Sequence, residues 1–386
     1  MFTLHLFSNW KWTGPAEHAL NLCLGLKKRG HRVVFASGRP PRKDLTSTNQ
    51  KAQALGIDTL ELRLRKHFNL LDNPRDLWAL ARYIKVSRPD VIHTHMTNDH
   101  LLAGIVAKMA SPKIPVLRTS YEGEGLRPGL RNRFLLWVLT SGLITVSERA
   151  RQRDIAQFGF PEERLWKIEV GVDTGRFNPT VARPRLRESW GIRPEEITVG
   201  IAARIQWHRR FDIFLEAFRL ASREMPKLRA VIIGRGTNMV PVAVEPARKM
   251  GLNGKVVFPG YKEGDEYVEA LASLDIKVFL VPGTDGSCRA VREAMAMGLP
   301  VIAARRGMLP EIVIHGETGL VIDDTPENLS RAIIELASDG SLRRRMGEAS
   351  RHRAVEKFSL EMEVKEVEAV YKALLGVKEV EQVRSA

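Results

Sequence analysis

Residues 276–311 read IKVFLVPGTDGSCRAVREAMAMGLPVIAARRGMLPE. The apolar run Ile276 to Val281 reads as a buried strand, Pro282 to Cys288 as a Gly-containing loop, and Arg289 to Met297 as a helix; a turn at Gly298 leads into a second strand, Pro300 to Ala303. Asp285 and Glu293 stand eight positions apart in this unit. At about 1.5 Å of rise per helical residue their carboxylates sit roughly 10 Å apart, one in the loop and one in the helix. That separation is about the span of a nucleotide diphosphate.

The residue types suit such a ligand. A helix opening at Ser287, Cys288 and Arg289 offers free backbone N–H groups and the positive end of its dipole to phosphate oxygens, and Gly286 lets the backbone come close. Glu293 lies beyond the phosphates, where a carboxylate accepts hydrogen bonds from both hydroxyls of a ribose. Asp285 lies on the other side, toward sugar hydroxyls. Cys288 also has the position of a low-pKa thiol, although the preferred reading is simply a small loop residue.

On these residues the segment resembles the nucleotide-sugar motif of retaining family-four glycosyltransferases of the GT-B fold. Their pattern is Glu, seven residues, Glu and an Ala-Met-Ala-x-Gly-x-Pro-Val string. Glu293-Ala-Met-Ala-Met-Gly-Leu-Pro-Val301 follows it, with Asp285 in place of the first Glu. The resemblance implies two Rossmann-like α/β domains facing across a cleft, with a C-terminal helix returning to the first. The boundaries are expected at 1–180, 181–365 and 366–386.

Composition sets limits on other readings. The chain has 386 residues, enough for two cores, and its 44% hydrophobic and 27% charged residues are an ordinary globular balance. No apolar run has the length of a membrane span: the longest, Phe134 to Val146, is broken by Thr140, Ser141 and Gly142. The N-terminus has no secretory pattern, so a cytoplasmic enzyme is expected. Two cysteines are too few for a disulfide scaffold or a zinc site. Residues 1–185 carry 30 Lys and Arg against 16 Asp and Glu, leaving 30 against 29 for the rest. A basic first half suits an anionic membrane surface, an acidic saccharide or nucleic acid. Nucleic acid is set aside because no recognition helix or aromatic platform stands out.

From the N-terminus, strand Thr3 to Phe7, helix Ala16 to Lys28 and strand Arg32 to Ala36 make a βαβ unit, which brings the first loop to the carboxyl edge. That loop ends in Gly14-Pro15-Ala16-Glu17 and matches a Gly-Gly-x-Glu loop which, in the family, contacts donor phosphates. The alternation continues through strands Asp58 to Leu64, Val91 to His95, Pro115 to Thr119 and Leu143 to Val146, which argues a parallel sheet covered on both faces. His93 and His95 share one face of their strand. They read as half of a metal site or as a polar lining; with no third ligand nearby in sequence, the lining is preferred and no metal is assigned. Members of the family commonly carry a His where Tyr121 stands, near the reacting sugar.

In the second half, strand Ile197 to Ala203 leads into Arg204, with Arg209 and Arg210 where the family has Lys and Gly. The resemblance gives Arg204 and Arg209 to the diphosphate. Gly234-Arg235-Gly236 and Pro259-Gly260-Tyr261 border the base by analogy. No Asp-x-Asp triplet occurs, so a donor-bound divalent ion has no carboxylate pair, and no cofactor is expected.

The implied reaction is transfer of a sugar, with retention, from a nucleotide diphosphate donor to a hydroxyl of a saccharide or lipid-linked saccharide, in cell-envelope polysaccharide or lipopolysaccharide synthesis. The basic first half would dock peripherally on an anionic membrane. Asp285, Arg204, Arg209 and Tyr121 are the implied catalytic residues; Gly14, Gly286, Ser287, Cys288, Arg289 and Glu293 hold the donor. Two other readings fit the same motifs: a sugar-nucleotide epimerase of this fold, and a non-catalytic relative that only binds nucleotide sugars.

Overall fold

A computed structural model of the chain describes residues 1–42, 45–182, 184–281 and 288–377. The chain forms two compact units, 1–171 with 360–386, and 172–359. The junctions, 171/172 and 359/360, stand nine and six residues before the expected 180/181 and 365/366.

Unit 1 holds a seven-stranded parallel sheet of β1 (Phe2–Phe7), β2 (Arg32–Ser37), β3 (Asp58–Thr59), β4 (Val91–Thr94), β5 (Val116–Ser120), β6 (Gly142–Thr145) and β7 (Leu165–Lys167), in the order 3-2-1-4-5-6-7. All six residues of β1 are buried, as a central strand covered on both faces requires. The following helix, Gly14–Lys28, is built by local rules. Thr13 accepts from Ala16 N as N-cap, Pro15 sits in the first turn and Lys27 and Lys28 in the last.

The expected strand Asp58 to Leu64 stops at Thr59. Beyond it, the Asp76 carboxylate takes the backbone N–H groups of Arg63 and Leu64 at 2.8 and 2.9 Å, so these donors leave the sheet ladder while Leu62 and Leu64 still fill the core. The short strand β7 carries no periodic signal in the sequence.

The helix Leu360–Leu374 belongs to unit 1, in line with the expected return of the C-terminus. Val364, Val367, Val370 and Tyr371 enter one buried cluster with Leu20, Leu22, Cys23 and Leu26. Glu363 accepts from Gly171 N at 2.7 Å, and Glu368 from Arg29 Nε at 2.7 Å.

Unit 2 holds β8 (Ile197–Ala202), β9 (Leu228–Ile233), β10 (Val256–Gly260), β11 (Ile276–Phe279), β12 (Val301–Ala304) and β13 (Gly319–Ile322), all parallel, in the order 10-9-8-11-12-13. The quoted stretch supplies β11, the helix Arg289–Ala296 and β12. Gly298, at φ +71°, closes that helix in a left-handed conformation.

In both sheets the order reverses once, between β1 and β4 and between β8 and β11. In open α/β sheets these switch points, at the carboxyl ends of the strands, are where loops part and ligands bind.

Candidate active site

Unit 2 carries five of the ten expected site residues among the described ones: Arg204, Arg209, Cys288, Arg289 and Glu293. Arg204 is exposed just after β8. Its loop is held from below: Ala203 N and Ile205 N bond Ile233 O and Arg235 O, both at 3.1 Å. A Cβ on Gly234 or Gly236 would come within 2.0 Å of Ala203 O or Ile205 O. The Gly-x-Gly pair is therefore there because two backbones touch.

Arg209 ends a short 3-10 turn, and its Nη1 donates to Val281 O at 3.0 Å, at the carboxyl end of β11. A guanidinium from the β8 loop is thus fixed at the exit of β11, where the chain leaves toward the helix Arg289–Ala296. Arg210 adopts φ +61° and opens the helix Phe211–Glu224, which explains why a glycine suits this position in the family. Its guanidinium pairs with Asp324 at 3.1 Å.

The segment carrying Asp285, Gly286 and Ser287 lies outside the described residues. Cys288, buried and left-handed at φ +49°, precedes the helix. Glu293 is buried one turn in. Its Oε2 accepts from Tyr267 OH at 3.0 Å, and its Oε1 lies 3.2 Å from Arg289 Nε. Arg289 and Glu293, assigned separately from sequence, therefore form one pair on one helix face.

Sequence reasoning missed Lys277. It stands in β11, fully buried, with no hydrogen-bond partner for Nζ among the described residues. Burial lowers its pKa to about 7, against the pull of Glu293. A lysine inside the run Ile-Lys-Val-Phe of a central strand was the available signal.

Unit 1 presents Gly14 as the first residue of its helix after β1, and Tyr121 just past β5. Tyr121 is buried, with its hydroxyl 2.9 Å from His95 Nδ1 and its ring stacked on His18 and His95. The third imidazole that was missing near His93 and His95 comes from β1: pairing with β4 sets His5 beside His93. The ligand atoms of His5, His93 and His95 lie within 4.8 Å of one another, the composition of a metal site. Each of their six ring nitrogens nonetheless already has a hydrogen-bond partner. A cation would have to break these bonds, the one between His5 and His95 among them.

Asp99 ties the two loops of this switch point together. Its carboxylate accepts from Ser8 N after β1 at 2.7 Å and from Met96 N after β4 at 2.9 Å. Burial raises its pKa to about 7, against the N–H groups it caps and Arg118. Its role was not read from the sequence, because Ser8 lies 91 residues away.

Comparison with known proteins agrees with this architecture. Residues 12–176 match the model of Glycosyltransferase Family 4, and residues 182–353 match that of Glycosyl transferases group 1. N-acetyl-alpha-D-glucosaminyl L-malate synthase of Bacillus anthracis is 24% identical over 357 residues, covering 90% of each chain. A GDP-mannose-dependent alpha-(1-6)-phosphatidylinositol monomannoside mannosyltransferase of Mycolicibacterium smegmatis is 31% identical over 223 residues, 55% of this chain and 57% of that one. Anabaena Alr3699/HepE in complex with UDP-glucose superposes with a TM-score of 0.77 at 16% identity, over 97% of this chain and 100% of that one. Two matching domain models, together with two parallel sheets that superpose on solved structures of this kind, make this chain a family-four-type glycosyltransferase of the GT-B fold.

Proposed function

We propose that the chain transfers a sugar, with retention of anomeric configuration, from a nucleotide diphosphate sugar to a hydroxyl of a saccharide or lipid-linked saccharide of the cell envelope. The observation that carries this reading is Arg209, pinned by Val281 O at the carboxyl end of β11 beside the switch point of unit 2. A fixed guanidinium there meets a diphosphate without reorganising as charge develops on the leaving group. In this proposal Arg204 shares that charge, the helix opening at Cys288 and Arg289 takes phosphate oxygens together with Gly286 and Ser287, Glu293 takes the ribose and Asp285 the sugar. Unit 1 brings the Gly14 N–H and the Tyr121 hydroxyl to the carboxyl end of its own sheet. Cationic side chains do the work of a donor-bound metal, since the sequence has no Asp-x-Asp pair. The phosphatidylinositol acceptor in the name of the mycobacterial relative supports a lipid-linked acceptor.

Thermal unfolding against UDP-, GDP- and ADP-sugars tests the donor site. A ligand at about one hundred times its Kd adds about 2.7 kcal/mol, which is a rise of several degrees in Tm. One nucleotide class is expected to give that rise, and Glu293→Ala or Arg209→Ala to abolish it. No rise with any of them, or an unchanged rise in both variants, would sink the assignment. Retention is read from the anomeric proton coupling of the product, and an inverted product refutes it.

A further inference from the structure

Three neighbouring loops of unit 2 are laced together at the carboxyl edge of its sheet, where β10, β9 and β8 stand side by side. Ile205 N donates to Arg235 O at 3.1 Å, which joins the loop after β8 to the loop after β9. Gly234 N donates to Gly260 O at 2.9 Å, which joins the loop after β9 to the end of β10. Adjacent strands lie about 4.8 Å apart, so Arg204, Arg235 and Tyr261 follow one another across about 10 Å, the span of a nucleotide diphosphate.

This row also has a direction. Glu293 Oε2 accepts from Tyr267 OH at 3.0 Å, and Tyr267 lies in the helix Gly264–Ala272, which opens directly behind the loop of Tyr261. With phosphates on Arg204 and Arg209 and a ribose on Glu293, the base of a nucleotide falls on the β9 and β10 side of the sheet, at Arg235 and Tyr261.

Those two side chains already form a flat platform. The Arg235 guanidinium lies over the Tyr261 ring, 4.2 Å from its centroid. Both residues are exposed, and Arg235 makes no ion pair and no side-chain hydrogen bond among the described residues. Attraction to the ring face restrains the fork while its N–H donors stay unspent. A planar fork of donors suits two acceptors set side by side in one plane. Guanine has that pair in O6 and N7, whereas adenine sets an amino donor beside N7. Uracil sets an N3–H donor beside O4. Of the three bases, guanine alone satisfies both arms.

We propose that Arg235, held flat on Tyr261, reads O6 and N7 of guanine and so selects a GDP-sugar as the donor. The assignment rests on the nucleotide-sugar reading of unit 2 and adds to it which base is taken.

Calorimetric titration of the whole chain with GDP, ADP and UDP tests it. GDP is expected to bind about ten- to a hundredfold more tightly than either of the others, the discrimination a bidentate arginine gives. 7-Deaza-GDP, in which a C–H replaces N7, should bind about five- to tenfold more weakly than GDP, because one arm of the fork loses its acceptor. Arg235→Ala should bring GDP to the level of ADP, and Arg235→Lys, which keeps the charge without the fork, should do the same. Tyr261→Leu, which frees the fork without removing it, should narrow the preference for GDP about threefold.

Tighter binding of ADP or UDP than of GDP, or equal binding of GDP and 7-deaza-GDP, overturns the proposal and leaves the donor site standing. Equal losses of all three nucleotides in Arg235→Ala would make Arg235 a phosphate contact and overturn it as well. A preference for GDP unchanged in Tyr261→Leu overturns the part given to the ring. If the unmodified chain binds none of the three, the nucleotide-sugar reading falls and the proposal with it.

Discussion

Lys277 sits in an environment that opposes its charge. Its ammonium lies within β11 with no hydrogen-bond partner among the described residues, and burial takes its pKa from 10.5 to about 7. Between those values the unfolded chain keeps the proton that the folded chain has lost. Unfolded protein thus binds more protons, and stability rises with pH across the window, by about 1.4 kcal/mol per unit at most. Below about pH 7 both states are charged and the folded chain bears the whole desolvation cost. Lys277→Met removes that cost. It is expected to stabilise the protein by on the order of 2–4 kcal/mol at pH 7, with the gain shrinking toward pH 10. Urea midpoints of both proteins at pH 7 and 9.5 check this, and parallel midpoints at the two values would refute it. The sequence showed a lysine in an apolar strand but not its isolation, which depends on what packs around β11. His5 is a similar case. Only strand pairing brings it to His93, 88 positions further along the chain, and nothing local announces that contact.

Among the secondary-structure elements, the helix Leu130–Leu139 is only half committed to the core of unit 1. Leu135, Leu136 and Leu139 are buried, while Leu130 and Phe134 are 86% and 53% exposed beside the exposed Arg131 and Arg133. No helix among the described residues is long and apolar enough to cross a membrane. An apolar and basic outer face on a short helix is instead the composition that lies in a bilayer interface. The basic first half of the chain adds attraction to anionic lipid, which salt screens. Co-sedimentation with vesicles containing phosphatidylserine is therefore expected to weaken with added salt. The double variant Leu130→Ser/Phe134→Ser should lower it about five- to tenfold, because both side chains lose their apolar insertion. Equal binding to neutral vesicles, or no change in the variant, would count against membrane docking. Element identity was legible wherever period and punctuation agreed, as in Gly14–Lys28 and the strand-helix-strand unit of residues 276–304. It failed where a tertiary acceptor took over the backbone. The segment after Thr59 alternates like a strand, yet Asp76 captures its N–H groups.

The two units differ in how the chain builds them, and that difference is testable at the level of the whole molecule. Unit 2 is one uninterrupted segment, 172–359, whereas unit 1 needs the returning helix Leu360–Leu374. Homology implied this return, but the residues that make it necessary appear only in the packing. Val364 lies against Gly25 so closely that a Cβ there would meet Val364 Cγ2 at 2.3 Å, and Tyr371 closes over His5 and His93. Burial of Val364, Val367, Val370 and Tyr371 contributes roughly 1.5–3 kcal/mol each. Together that is comparable to the entire stability of a typical domain, about 5–15 kcal/mol. Residues 172–359 expressed alone are thus expected to unfold in one cooperative transition. Residues 1–171 alone are expected to lack one and to bind a hydrophobic dye, because the cluster around Leu20, Cys23 and Leu26 stays open. Fusing 360–377 directly after residue 171 through a short Gly-Ser linker should restore cooperativity. Gly171 already abuts Leu360, where a Cβ would lie 2.6 Å from the Leu360 Cα, so the joint imposes little strain. A fragment 1–171 that unfolds as sharply as the fusion would mean that the returning helix decorates unit 1 rather than completing its core.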